Sequence, residues 1–137
     1  MARFLGIDYG DARIGVALSD PTALIASPLA FIQNDKIDSI LLKLRSLVDE
    51  YQITCIVIGL PKNMNGTLGE RSQKTMGFAD ACRQAIPIQI ELWDERLTTI
   101  QANKVLLQAD VSRKKRKKVI DSMAAQLLLQ SYLDSLR

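Results

Sequence analysis

Thr54-Cys55-Ile56-Val57-Ile58-Gly59 is a continuously apolar, largely β-branched run with no polar alternation. A strand covered on both faces reads this way, so the run predicts a central parallel strand between layers of helix. It stops at Gly59-Leu60-Pro61 and opens into the polar loop Lys62 to Gly66. Upstream, Ile37, Ile40, Leu41, Leu44, Leu47, Val48 and Tyr51 follow the i, i+3, i+4, i+7 spacing of an amphipathic helix. Downstream, Thr75, Phe78, Ala79 and Cys82 place a second helix across roughly 68–85, and residues 87–93 predict another buried strand.

Further out, residues 3–8 and 13–19 are short strand-like runs joined by Tyr9-Gly10-Asp11-Ala12, a hairpin signal. Residues 28–33 add a third strand after the loop Asp20-Pro21-Thr22. Thr98 with Gln101 resembles a capping box, opening a helix with Ala102, Val105, Leu106 and Ala109 on one face. A final helix runs from near Lys115 to Leu136. Hairpin strands followed by alternating β-α units predict one α/β domain over residues 1–137. Its mixed sheet has five strands, three antiparallel and then parallel ones, flanked by helices.

The chain has 137 residues, 47% hydrophobic and 24% charged, the balance of a soluble globular domain. No apolar run approaches the roughly 20 residues of a membrane helix, and no signal peptide is evident, so no membrane contact and a cytoplasmic location are expected. Cys55 and Cys82 read as reduced, buried thiols. The sequence contains no histidine. Ser-His and Cys-His triads, histidine acid–base work and most zinc sites are thereby excluded. Chemistry is left to carboxylates, Lys, Arg, hydroxyls and a cofactor.

Carboxylates interrupt or end apolar segments at three places. Asp8 closes Phe4-Leu5-Gly6-Ile7, Asp94 and Glu95 end the run from Ile86 to Trp93, and Asp121 sits within the stretch Val119 to Leu133. Buried carboxylates are costly unless paired or bound to a cation. At about 100° per residue, Asp121 shares a face with Ala124, Ala125, Leu128 and Tyr132, with Gln126, Gln130 and Asp134 on the opposite side. Ligands of open α/β sheets gather beyond the carboxyl ends of strands, where Asp8, Gly59 and Asp94-Glu95 fall if their strands are parallel neighbours. Carboxylates without histidine suit Mg²⁺ or Mn²⁺. Two such ions about 4 Å apart would activate a water and stabilise the leaving oxygen of a phosphodiester.

The bland reading of each acid is a turn residue at Asp8, a surface pair at Asp94-Glu95, and a helix-start preference at Asp121. Three at one edge favour a site. The net charge of +3 includes +6 from Arg113-Lys114-Lys115-Arg116-Lys117-Lys118, leaving −3 for the rest. Such a stripe suggests a polyanion partner, against a solvated helix start. The loop amides after Gly59, with Lys62 and the following helix N-terminus, could hold a phosphate.

Gly6-Ile7-Asp8-Tyr9-Gly10, Gly59-Leu60-Pro61-x-Asn63-Met64-x-Gly66, Asp94-Glu95-Arg96-Leu97-Thr98-Thr99, and Arg113 to Lys118 with Asp121-x-x-Ala124-Ala125 together resemble the YqgF (RuvX) family. Its members are Holliday-junction-resolvase-like proteins, regarded as nucleases that mature the 5′ end of pre-16S rRNA. The resemblance spans essentially the whole chain and implies an RNase H-like fold with a metal-dependent nuclease site. By motif match, Asp8 is the first-strand acid, Asp94 or Glu95 the acid after the fourth strand, and Asp121 the acid of the last helix. Strand neighbours face opposite sides, and Glu95 is favoured because its longer side chain can reach back over a strand end. The related resolvases carry a further acid three residues after the helix acid. Ala124 stands there, which leaves open one metal ion or two.

The resulting expectation is an endonuclease acting on structured RNA in the small-subunit precursor. Asp8, Glu95 and Asp121 would be metal ligands, with Asp94 the alternative catalytic acid. Lys62, Asn63, Arg96, Thr98, Arg113, Lys114, Lys115, Lys117 and Lys118 would be substrate contacts. Competing readings are a non-catalytic RNA- or ribosome-binding factor and a resolvase of branched DNA, which generally dimerises, whereas an RNA-trimming enzyme can be a monomer. A sugar-kinase or actin-like ATPase module would need two such domains.

Overall fold

The computed structural model describes residues 2–63, 65–95 and 113–137, and the side chains of 113–122 fall outside it. The helix expected after Thr98, with Arg96 and Thr98 themselves, lies outside the described residues. Among the described residues eight elements follow in order: β1 (Phe4–Tyr9), β2 (Arg13–Ser19), β3 (Ala26–Gln33), α1 (Ile37–Tyr51), β4 (Cys55–Leu60), α2 (Glu70–Ala85), β5 (Gln89–Asp94) and α3 (Arg113–Ser135). The five strands form one sheet in the order β3-β2-β1-β4-β5. β1–β2 and β2–β3 pair antiparallel, and β1–β4 and β4–β5 pair parallel. This is the expected mixed sheet.

Strand alternation divides the apolar residues between two faces. Leu5, Ile7, Ile14, Val16, Ile56 and Ile58 meet Ile40 and Leu44 of α1 and Phe78, Ala79 and Cys82 of α2. Phe4, Ala17, Cys55 and Val57 point the other way, onto Ala125, Leu129, Tyr132 and Leu133 of α3. β4 is buried at every position because it lies between neighbours and under both layers. The close approach of α3 needs a missing side chain in the floor beneath it. A Cβ on Gly6 would stand 2.7 Å from Leu129 Cβ and 3.2 Å from the Ala125 carbonyl.

Three expectations need correction. β5 is an edge strand with only Ile90 buried, not the buried strand expected over 87–93. Its neighbour lies on one side alone, and Gln89 and Glu91 are the polar residues such an edge tolerates. The third strand begins at Ala26, two residues before the expected start, and pairs with β2 to Gln33; with five strands in the sheet, Asp94 ends and Glu95 follows the fifth strand rather than the fourth. Gln126 and Gln130 do not face away from the sheet. Gln126 Nε2 donates to the Ala26 carbonyl (3.2 Å), Ala26 N–H donates to Gln130 Oε1 (2.9 Å), and Gln130 Nε2 donates to the Leu24 carbonyl (2.9 Å). These amides satisfy backbone at the start of edge strand β3, a role a helical wheel does not reveal. Among the described residues, no helix is long and apolar enough to cross a membrane.

Candidate active site

The parallel strands β1, β4 and β5 end at one edge of the sheet. β1 contributes Asp8, which alternation puts on the α3 face with Phe4 and Gly6. Directly across β2 lies Gly15, the register partner of Asp8. On the other side Gly59 follows the Ile7–Ile58 pair by one residue and is itself paired with Trp93. Asp8 therefore stands between two positions without side chains. A Cβ on Gly15 would lie 3.7 Å from Asp8 Cβ and 3.5 Å from Ala125 Cβ. α3 closes over this floor from above.

Glu95 occupies the second gap. Its backbone N–H donates to the Leu60 carbonyl (3.3 Å), which extends β5 by one residue beyond Asp94. Odd-numbered residues of β5 face α3: Glu91 accepts from Tyr132 Oη (2.5 Å), and Trp93 Nε1 donates to Ser131 Oγ (3.2 Å). Glu95 continues that series. Its carboxylate leans back over β4, so that Oε2 lies 2.5 Å from where a Gly59 Cβ would be. Asp94 takes the parity of Leu92, which packs with the α1–α2 side. Of the two acids, strand parity places Glu95 on the face of Asp8 and Asp94 on the other.

The electrostatics agree. Burial first and the Asp8 charge second raise the Glu95 carboxyl from an ordinary 4.5 to about 7, with Arg71 opposing and Asp94 adding a smaller upward contribution. A carboxyl raised by burial and a like-charged neighbour at a sheet edge marks a candidate functional site. The donors are hard oxygens, which fit Mg²⁺ or Mn²⁺. Among the described residues no cluster of three or more metal-ligating side chains occurs. Residue 121 lies on α3 one turn before Ala125, with its side chain outside the described residues.

Asp8, Gly10, Arg13, Phe31 and Arg71 line one cleft of about 500 Å³. Its rim is held by the hairpin turn, where Gly10 N–H donates to the Arg13 carbonyl (3.1 Å) and Asn34 Nδ2 donates to the Gly10 carbonyl (2.7 Å). Arg71 does not stand out in the sequence. The available signal is its place in the first turn of the helix after the Gly59–Gly66 loop. Lys62 and Asn63 line a smaller depression of about 220 Å³ with Gly69, Arg71 and Ser72 at the start of α2. Asn63 also closes its own loop, Nδ2 donating to Thr67 Oγ1 (3.0 Å). Arg113, Lys114, Lys115, Lys117 and Lys118 belong to the first turns of α3, but their side chains, like Arg96 and Thr98, are outside the described residues.

Known proteins are similar to this chain in sequence or in fold. The family described as "RuvX: Holliday junction resolvase" matches residues 2–135. A proposed pre-16S rRNA nuclease of Desulforamulus reducens is 50% identical over 133 residues, 97% of this chain and 97% of that protein. Its counterpart in Clostridium acetobutylicum is 48% identical over 134 residues, 98% of this chain and 99% of that one. Thermus thermophilus RuvC, solved in complex with Holliday junction substrate, superposes with a TM-score of 0.60 at 12% identity, covering 99% of this chain and 96% of its own. The fowlpox virus Holliday junction resolvase gives 0.55 at 14% identity, covering 97% and 99%. At such identities the likeness is one of fold, the RNase H-like fold of these resolvases.

Proposed function

Because the chain belongs to the RuvX family, a family of nucleases, we propose that it is a Mg²⁺- or Mn²⁺-dependent endonuclease that cuts structured RNA. The pre-16S rRNA named for its half-identical relatives is the substrate we assign, and the cytoplasmic small-subunit precursor is its setting. The observation that carries this reading is the pairing of Asp8 and Glu95 on one face, with glycines where intervening side chains would stand.

Asp8 and Glu95 would hold the ion, with Asp121 completing the set from α3. A divalent ion bound there supplies a Lewis acid for the phosphoryl oxygens and lowers the pKa of a water nucleophile. The chain's own residues do the rest. Glu95 lays its buried carboxylate over Gly59, where no side chain stands in its way. Arg71, which lines the cleft with Asp8 and whose charge acts on Glu95, would offer a guanidinium to a substrate phosphate, a bidentate geometry Lys cannot match. Lys62 and the first-turn amides of α2 extend that contact to the next phosphate. The basic start of α3 supplies salt-dependent attraction to the RNA backbone. Cutting one RNA strand needs one such cleft, so a monomer suffices, whereas symmetric cutting of a four-way junction needs two.

Incubation of the purified protein with a pre-rRNA transcript and with a four-way DNA junction, in Mg²⁺, Mn²⁺ or EDTA, tests the reading. Cleavage of the transcript that disappears in EDTA and in Asp8→Asn is expected. Binding without cleavage under every metal condition would replace the nuclease with an RNA-binding factor.

A further inference from the structure

Phe31 is the aromatic side chain of the cleft, and the active-site chemistry does not use it. It lies in the same cross-strand row as Asp8: Asp8 pairs with Gly15, and Gly15 pairs with Phe31. Two strand spacings of about 4.8 Å separate it from Asp8 along that row. Because Gly15 has no side chain, the ring leans over the sheet toward the acid, with Cε1 3.6 Å from the missing Gly15 Cβ. Its neighbour on β3, Ile32, is 5% exposed, whereas Phe31 is 45% exposed. The Arg13 guanidinium carbon stands 5.0 Å from the ring centroid. Both side chains line the cleft that holds Asp8 and Arg71.

An aromatic ring left half open beside carboxylates and arginines is poor core packing and good nucleobase chemistry. Unpaired bases stack on aromatic faces and on guanidinium planes, while phosphates take the cations. A base-paired helix buries its base faces against one another and has none to offer. We propose that Phe31 and Arg13 form a stacking platform for an unpaired nucleobase adjoining the scissile phosphate. This selects RNA with a single-stranded nucleotide at the cut. The inference rests on the nuclease reading and adds the substrate feature that the cleft recognises.

Short single-stranded RNA carrying 2-aminopurine, titrated in EDTA so that it stays intact, provides the test. The parent protein and Phe31→Trp quench the fluorescent base. Phe31→Leu does not, and binds the single strand about 5- to 150-fold more weakly, the range of one base–aromatic stack. Binding of fully duplex RNA is the same for all three. Arg13→Gln leaves the ring in place and weakens single-strand binding in the same sense, so the outcome does not depend on Phe31→Leu folding. Parent-like quenching and affinity in both Phe31→Leu and Arg13→Gln, or an equal loss on duplex RNA, overturns the platform. A parent protein that quenches the base but cuts no transcript in Mg²⁺ or Mn²⁺ overturns the nuclease reading and leaves the platform standing.

Discussion

Glu95 carries a proton more readily in the folded chain than in the unfolded one, because burial and Asp8 both disfavour its charge. The stability this contributes is fully present below about 4.5 and is lost as pH rises through about 7. Metal-free protein should therefore melt at lower temperature at pH 8 than at pH 5, a loss on the order of 2–3 kcal/mol at this position. Glu95→Gln should flatten that dependence in thermal scans made with EDTA, and an unchanged slope would place the titration elsewhere. Excess Mg²⁺ or Mn²⁺ should reverse the loss in the parent protein, by about 2.7 kcal/mol at a hundredfold excess over Kd. Asp8→Asn removes one of the two like charges, so calorimetry should find it as stable as the parent or more so, with cleavage abolished. Strong destabilisation would mark Asp8 as structural. Asp8 is legible from the sequence alone, as a carboxylate ending an apolar strand. Between Glu95 and Asp94 the sequence offers only the longer side chain of Glu95, because parity has meaning only once Trp93 and Glu91 are known to face α3. Arg71 is hidden for a similar reason: the acids that give it a role come from β1 and from beyond β5.

Helix α3 makes two kinds of close contact with the sheet, and two glycines separate them. At Gly6 an added methyl meets Leu129 Cβ at 2.7 Å and backbone at 3.2 Å, neither of which can swing aside. Gly6→Ala should lift the helix and cost about 1–3 kcal/mol. At Gly59 the first obstacle is the tip of Glu95, 2.5 Å away, with Leu128 methyls at 3.1 Å. Gly59→Ala should displace the carboxylate with a smaller penalty, so cleavage falls further than the melting temperature. Parallel melting and cleavage assays on the pair would refute this account if both variants lost activity only in proportion to stability. The first turns of α3 carry the basic run. Neutralising Lys114, Lys115, Lys117 and Lys118 should lower the salt dependence of RNA binding by about 0.7–0.9 log units for every phosphate that is no longer neutralised. An unchanged slope in binding titrations would retire the stripe. The amphipathic face of α3 is readable from Ala125, Leu128 and Tyr132. Its glutamines are not, since a polar side chain that ends on a strand carbonyl looks the same in sequence as one that ends in water.

Across the whole molecule, the mixed sheet and its covering on both faces are readable because β4 is apolar at every position and the hairpin strands precede the β-α units. The edge position of β5 is not, since apolar residues such as Ile90 and Leu92 occur in edge and central strands alike. The site draws on both ends of the sequence. Asp8 lies in the first strand, and the helix that covers its face packs Leu129 against Gly6. Between the two, the chain must supply β4 and β5 before the floor is complete. At about 5–20 residues per second, synthesis of the hundred-odd residues between β1 and α3 takes on the order of 5–20 s. Throughout that interval the emerging polypeptide has its first acid but no roof over it. If α3 completes the metal site as proposed, that polypeptide should be harmless to the RNA of the ribosome making it until α3 has packed onto the sheet.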